Sequence, residues 1–139
     1  MDPSLLDTDT YSEILRASNR NVIDRSNEYR DRFERFSLSA VTVYELVGGM
    51  QRAQLGRRLE ALKVAIDAEE IIPIDKQAAI VAGRILGDLL RTGQTIGKAD
   101  PMIAAIAIQH DLTLITGNTQ HFERIARLGY ALRLDNWRN

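Results

Sequence analysis

The sequence predicts an α/β domain in which a mainly parallel sheet lies between two layers of helices. Three observations predict it. Short apolar runs recur at residues 4–6, 38–41, 71–74, 112–116 and 130–134. Stretches with helical spacing of apolar residues separate them, which is the signature of βαβ units. No internal repeat, low-complexity tract or Pro/Gly/Ser linker interrupts the pattern, so the 139 residues read as a single domain, 1–139.

The elements follow in order. Ser4-Leu5-Leu6 is a brief buried strand that ends at Asp7. A short helix is expected over residues 10–17 and a second over 22–36, where Val22, Ile23, Tyr29, Phe33 and Phe36 share a face. Residues 38–41 form the next strand. Thr42-Val43-Tyr44-Glu45 has the spacing of a capping box and opens a helix, and another helix covers 55–66. Residues 71–74 are a strand whose Pro73 suggests a sheet edge or end. Asp75 is a helix N-cap; Ala78, Val81, Ala82, Ile85 and Leu89 follow at helical spacing and Gly93 stops the helix. After a loop, Asp100-Pro101 reads as N-cap and first turn of an apolar, buried helix over 102–108. Residues 112–116 are a strand, Gly117-Asn118-Thr119 a turn, 122–128 a short helix and 130–134 a last strand.

Composition excludes several classes of function. There is no cysteine, hence no disulfide, thiolate metal site or cysteine nucleophile. The net charge of −1 and pI near 6.1 argue against a protein that coats DNA non-specifically. The apolar runs fall far short of the ~20 residues that span a bilayer, and Met1-Asp2-Pro3-Ser4 lacks the basic start of a signal peptide. The expected location is the cytoplasm.

In parallel α/β sheets ligands gather at the carboxyl ends of strands. Asp7, Thr8 and Asp9 follow the first strand, Thr42 and Glu45 the second, and Thr116, Gly117 and Asn118 the fourth; Asp100 at a helix start can face the same cleft. The set is rich in oxygen, and only His110 and His121, read as surface or helix-end residues, supply imidazole. Carboxylates, hydroxyls and an amide suit Mg²⁺ or Mn²⁺ better than Zn²⁺. A carboxylate cluster holding one or two such ions is a device for cleaving phosphodiesters. Each residue also has a local reading. Asp7 and Asp100 would cap helices, Glu45 would complete a capping box, and Asn118 would be a turn residue.

Order and context discriminate between these readings. Leu5-Leu6-Asp7-Thr8-Asp9 resembles the opening motif of PIN-domain nucleases. Ser39-Ala40-Val41-Thr42-Val43-Tyr44-Glu45-Leu46, followed by Gly48-Gly49, resembles their second motif. Ile96 to Ala105, with Asp100 opening an Ile-Ala-Ala helix, resembles the third. Leu112 to Phe122, with Thr116 and Asn118, resembles the last, and Leu134-Asp135-Asn136-Trp137 matches a common tail. The similarity covers nearly the whole chain and is greatest to the toxins of VapBC-type toxin–antitoxin modules of bacteria and archaea.

The resemblance implies an Mg²⁺- or Mn²⁺-dependent endoribonuclease, holding one or two ions, that cuts tRNA or rRNA and so blocks translation. It places metal-binding carboxylates at Asp7, Glu45 and Asp100 and the fourth site position at Asn118, with Thr8, Asp9, Thr42 and Thr116 in support. It implies a cognate antitoxin and a homodimer, with the helices before Gly93 and after Leu55 as candidate interface. Arg25, Arg32, Arg52 and Lys98 are the candidate RNA contacts. Two alternatives compete. One is a non-catalytic PIN-like module that binds RNA or metal. The other is a haloacid-dehalogenase-type phosphatase, suggested by Asp7-Thr8-Asp9-Thr10. It is disfavoured because Tyr11 breaks the motif and no lysine follows Thr116.

Overall fold

The computed structural model describes residues 1–139. The chain runs β1 (Ser4–Leu6), α1 (Thr8–Arg16), α2 (Arg20–Phe33), β2 (Ser37–Ser39), α3 (Ala40–Arg52), α4 (Gly56–Asp67) and β3 (Glu70–Ile72). It continues through α5 (Lys76–Arg91), α6 (Ala99–Gln109), β4 (Thr113–Ile115), α7 (Thr119–Arg127) and β5 (Leu134–Asp135). The five strands form one sheet in the order β3-β2-β1-β4-β5, and every pairing is parallel. The expected three-layer α/β/α architecture is present.

Alternation along strands of three residues sorts the core into two halves. Leu5 and Leu114 face α5, α6 and α7, where they pack with Ile85, Leu89, Ile103 and Phe122. Leu6, Leu38 and Ile115 face the opposite layer and meet Tyr11, Val22, Tyr29, Leu62 and Trp137. Helix α3 serves both halves, with Val41 in one and Leu46 in the other. Helix α6 buries Pro101 and every residue from Ile103 to Ala107, which explains why its sequence is apolar all round.

Several boundaries differ from the sequence expectation. Residues 40 and 41 belong to α3, because the Ser39 hydroxyl accepts the Thr42 amide and starts the helix there. The Thr42–Glu45 capping box is therefore not formed. Helix α6 starts at Ala99 with Lys98 as N-cap, so Asp100 lies in the first turn rather than at the cap. Proline fits any position of the first turn, where amides have no intrahelical partner, so Pro101 marked the turn but not its first residue. Phe36 lies beyond the end of α2, and β5 is confined to Leu134 and Asp135 because only Leu114 and Ile115 of β4 pair with it. Asp75 caps α5 as expected, Gly93 just beyond α5 has φ +73°, and β3 with the adjacent Pro73 lies at the sheet edge.

Candidate active site

From β1 the chain builds outward through β2 to β3, then returns to place β4 on the other side of β1. The gap between β1 and β4 is thus the topological switch point, where α/β sheets open a crevice beyond the strand ends. Asp7 ends β1 and Thr116 ends β4. Their side chains meet across the gap, Thr116 Oγ1 donating to Asp7 Oδ2 at 2.9 Å. Asp7 Oδ1 accepts the Thr8 amide at 2.8 Å, so Asp7 is the N-cap of α1 as well as a residue at the strand end facing the crevice.

Around this pair lies an open cleft of about 390 Å³. Asp7, Glu45, Asp100 and Asn118 all line it, with Thr8 and Asp9. The structure brings the four predicted site positions to one cleft from four different helices or their caps. Glu45 is reached from α3 through a hydroxyl chain. Thr8 Oγ1 donates to Glu45 Oε1 at 2.7 Å and lies 3.1 Å from Thr42 Oγ1, which in turn accepts from Ser39 Oγ at 3.2 Å. Thr42 and Thr116 are fully buried, so both act through the groups they hold. Asn118 is the N-cap of α7 but makes no side-chain capping bond; its amide donates to Thr116 Oγ1 at 3.0 Å.

Asp9 is engaged elsewhere. Its Oδ2 accepts the Gly117 amide at 3.0 Å and lies 3.7 Å from Arg138 Nη2, while its Oδ1 accepts from Thr10. Arg138 is held in turn by Glu13 at 2.6 Å. A Cβ at Gly117 would run into the Arg138 guanidinium and reach 2.8 Å from Asp9 Oδ2, so a larger residue there would have to displace this clasp.

Burial and nearby charge decide the state of Asp7. Desolvation in its 7 %-exposed position, then repulsion by Asp9 and Asp100, push its pKa up to about 7 against the opposing bonds from Thr8 and Thr116. Like charges crowded in this way call for a cation. The donors around the cleft are all oxygens, the preference of Mg²⁺ and Mn²⁺. No three acidic or histidine side chains converge as a closed ligand cluster. Mg²⁺ keeps several waters and needs only one or two carboxylates plus substrate phosphate oxygens, so the lining carboxylates are of the right kind for it without forming a full cage.

Sequence reasoning missed several residues of this neighbourhood. Ser12 and Arg16 line the cleft with Thr8, one face of α1 at i, i+4, i+8 spacing that a helical reading from Thr8 would have shown. His121 is no bystander: its Nε2 lies 2.7 Å from Asp100 Oδ2. The candidate RNA contacts are not gathered here. Arg25 lines a separate depression with Met1 and Trp137, Lys98 lies beside Pro101 and Met102 on the α5–α6 side, Arg32 stacks over Phe33, and Arg52 is exposed in the last turn of α3.

An acidic cleft at the switch point of a five-stranded parallel sheet fits a PIN-type α/β domain, and the sequence agrees: residues 4–128 match the PIN domain. The chain belongs to the PIN-domain family. Its relatives there are toxin nucleases. It is 31% identical over 134 residues, 96% of either chain, to the tRNA(fMet)-specific endonuclease VapC of Salmonella typhimurium. It is 35% identical to toxin FitB of Neisseria gonorrhoeae, over 85% of this chain and 89% of that one. The fold superposes on the DNA-bound VapBC structure from Salmonella typhimurium with TM-score 0.82 and 30% identity, over 99% of both chains. The phosphatase alternative is thereby set aside.

Proposed function

We propose that this chain is the toxin of a toxin–antitoxin pair and cleaves structured RNA, a tRNA or an rRNA loop, with Mg²⁺ or Mn²⁺. The observation that carries the reading is that Asp7, Glu45 and Asp100 all line one cleft at the switch point. A divalent ion there supplies a water of lowered pKa and charge stabilisation for the phosphate. Asp7, Glu45 and Asp100 would hold it, with Asn118 as a neutral oxygen donor beside them. Thr116 and Thr8 orient Asp7 and Glu45 through the bonds described above. Arg16, at the cleft rim, is placed to meet a phosphate, and recognition of folded RNA then rests on shape and backbone contacts.

The partner reading is supported by the VapBC and FitAB complexes among the structural relatives. An apolar groove of about 690 Å³ between α1, α3 and α4, lined by Leu15, Leu46, Met50 and Leu55, shares Ser12 and Arg16 with the acidic cleft. An antitoxin tail lying in this groove would reach the carboxylates. Val64 on α4 and Ile80 and Leu90 on α5 are exposed apolar side chains on the two helices read as the dimer interface. No helix is long and apolar enough to cross a membrane; a single domain acting in the cytoplasm fits the reading.

The test is cleavage of total tRNA and rRNA by purified protein, with fragment ends sequenced. Activity is expected with Mg²⁺ or Mn²⁺, lost in EDTA and restored by either ion. Expression of the chain alone should arrest growth, and co-expression of the antitoxin encoded beside it should relieve the arrest. Full cleavage in EDTA would overturn the metal reading. Metal binding without cleavage of any cellular RNA would favour the non-catalytic module.

A further inference from the structure

His121 opens no pocket of its own, yet four polar contacts fix the ring and the arginine beside it. Arg124, one turn later on α7, donates from Nη2 to His121 Nδ1 at 2.8 Å. The same guanidinium donates from Nε to the His121 carbonyl at 3.0 Å and from Nη1 to the Thr95 carbonyl at 2.9 Å, tying α7 to the loop before α6. The ring stands edge-on to Phe122 at 5.4 Å. On its far side His121 Nε2 meets Asp100 Oδ2 at 2.7 Å.

The chemistry of these partners settles which nitrogen carries the proton. Arginine has donors and no acceptor, so Nδ1 must offer its lone pair to Arg124. The hydrogen then sits on Nε2, where it points at the Asp100 carboxylate. An imidazolium would place two N–H groups against each other at Nδ1. The pairing with Asp100 is then a hydrogen bond from Nε2–H that orients the carboxylate, and no protein group bonds Oδ1.

We propose that His121, held as its Nε2–H tautomer by Arg124, is a positioning residue that fixes Asp100 Oδ2 and presents Oδ1 to a divalent cation in the cleft. This rests on the metal-dependent reading above. Groups that orient a metal's ligands typically cost 10–100-fold in affinity when removed.

The experiment measures Mn²⁺ binding by electron paramagnetic resonance on wild type, H121L, H121Q and D7N, with long-range ¹⁵N–¹H NMR of the metal-free wild type at pH 8. The expected spectrum shows Nε2–H at His121. H121L should bind Mn²⁺ roughly 10–100-fold more weakly, while H121Q, whose side-chain amide can still donate to Asp100, should stay within several-fold of wild type. D7N should bind little or none. Wild-type affinity in H121L beside a failed D7N would overturn the positioning role alone, as would an Nδ1–H tautomer or an imidazolium in the spectrum. Unchanged Mn²⁺ binding in D7N, or none in wild type, would overturn the metal reading and this role with it. Should H121L fail to fold, the tautomer and the H121Q affinity still decide.

Discussion

Replacing Asp7 by Asn should stabilise the metal-free protein while destroying its activity. The carboxyl is 7 % exposed, and burial with Asp9 and Asp100 nearby raises its pKa from 3.8 to about 7. At about 1.4 kcal/mol per pKa unit, holding it ionised in the fold costs roughly 4 kcal/mol at pH 8. Asparagine removes that cost. Its oxygen can still accept the Thr8 amide, but its NH₂ faces Thr116 Oγ1, whose own proton loses its acceptor, a penalty of about 1–3 kcal/mol. The net gain at pH 8 is then about 1–3 kcal/mol. The sign with pH follows from linkage. The folded pKa lies above the unfolded one, so the contribution of Asp7 is fully present below about pH 4 and is lost as pH rises to about 7. D7N should therefore be the less stable protein near pH 4, where only the Thr116 penalty of about 1–3 kcal/mol remains, and the more stable one at pH 8. Urea denaturation of both proteins in EDTA at several pH values measures it, and added Mn²⁺ should stabilise wild type alone. A D7N protein less stable than wild type at pH 8, or a difference that does not move with pH, would refute the account of a repelled, desolvated carboxylate.

Glu45→Gln and Asp100→Asn should fold with near-wild-type stability, because Ser39 and Lys98 occupy the N-cap positions of their helices, yet lose most RNA cleavage; gel assays at limiting Mg²⁺ with denaturation curves check both. Ser39→Ala removes the α3 cap and the start of the hydroxyl chain to Glu45, and should cost about 0.5–2 kcal/mol in urea denaturation together with a loss of cleavage. Glu69→Ala should cost about 2–4 kcal/mol with the cleft unaffected, since its buried carboxylate accepts from Arg30, Tyr11 and the Phe36 amide; thermal melts and Mn²⁺ affinity separate the two effects.

The fold was readable because its signals are local: apolar strands ending in Asp7 and Thr116, helical spacing between them, and an all-apolar α6. The carboxylates were readable from local context too: Asp7 follows β1, Glu45 lies in the helix after β2, and Asp100 lies in the first turn of α6. Helix starts were misplaced by one to three residues because Thr42-x-x-Glu45 and Asp100-Pro101 mimic caps, whereas Ser39 and Lys98 hold those positions. His121 reads as a surface or helix-end residue in the sequence because its meaning is tertiary. It acquires a role only when α7 packs against the start of α6 and brings Asp100, 21 residues earlier, to its Nε2. The clasp of Arg138 on Asp9 and Glu13 has no sequence signal at all; it depends on the chain returning past Trp137 to α1.

The bond between Thr116 and Asp7 joins residues 109 positions apart, and β1 pairs with β4 over the same span. The central strand therefore cannot complete its ladder until about four-fifths of the chain has been made and has closed that loop. Pairings of such long range are slow to form, because the entropy of closure is lost before any contact compensates for it. Asp7 and Glu45 lie on one side of the loop between α5 and α6, and Asp100, Asn118 and His121 on the other. A chain interrupted in that loop would yield two pieces, each harmless by itself, one bearing Asp7 and Glu45 and the other Asp100, and cutting power would return only on their reassociation. The topology thus makes the cleft a reporter of whether the whole domain is assembled.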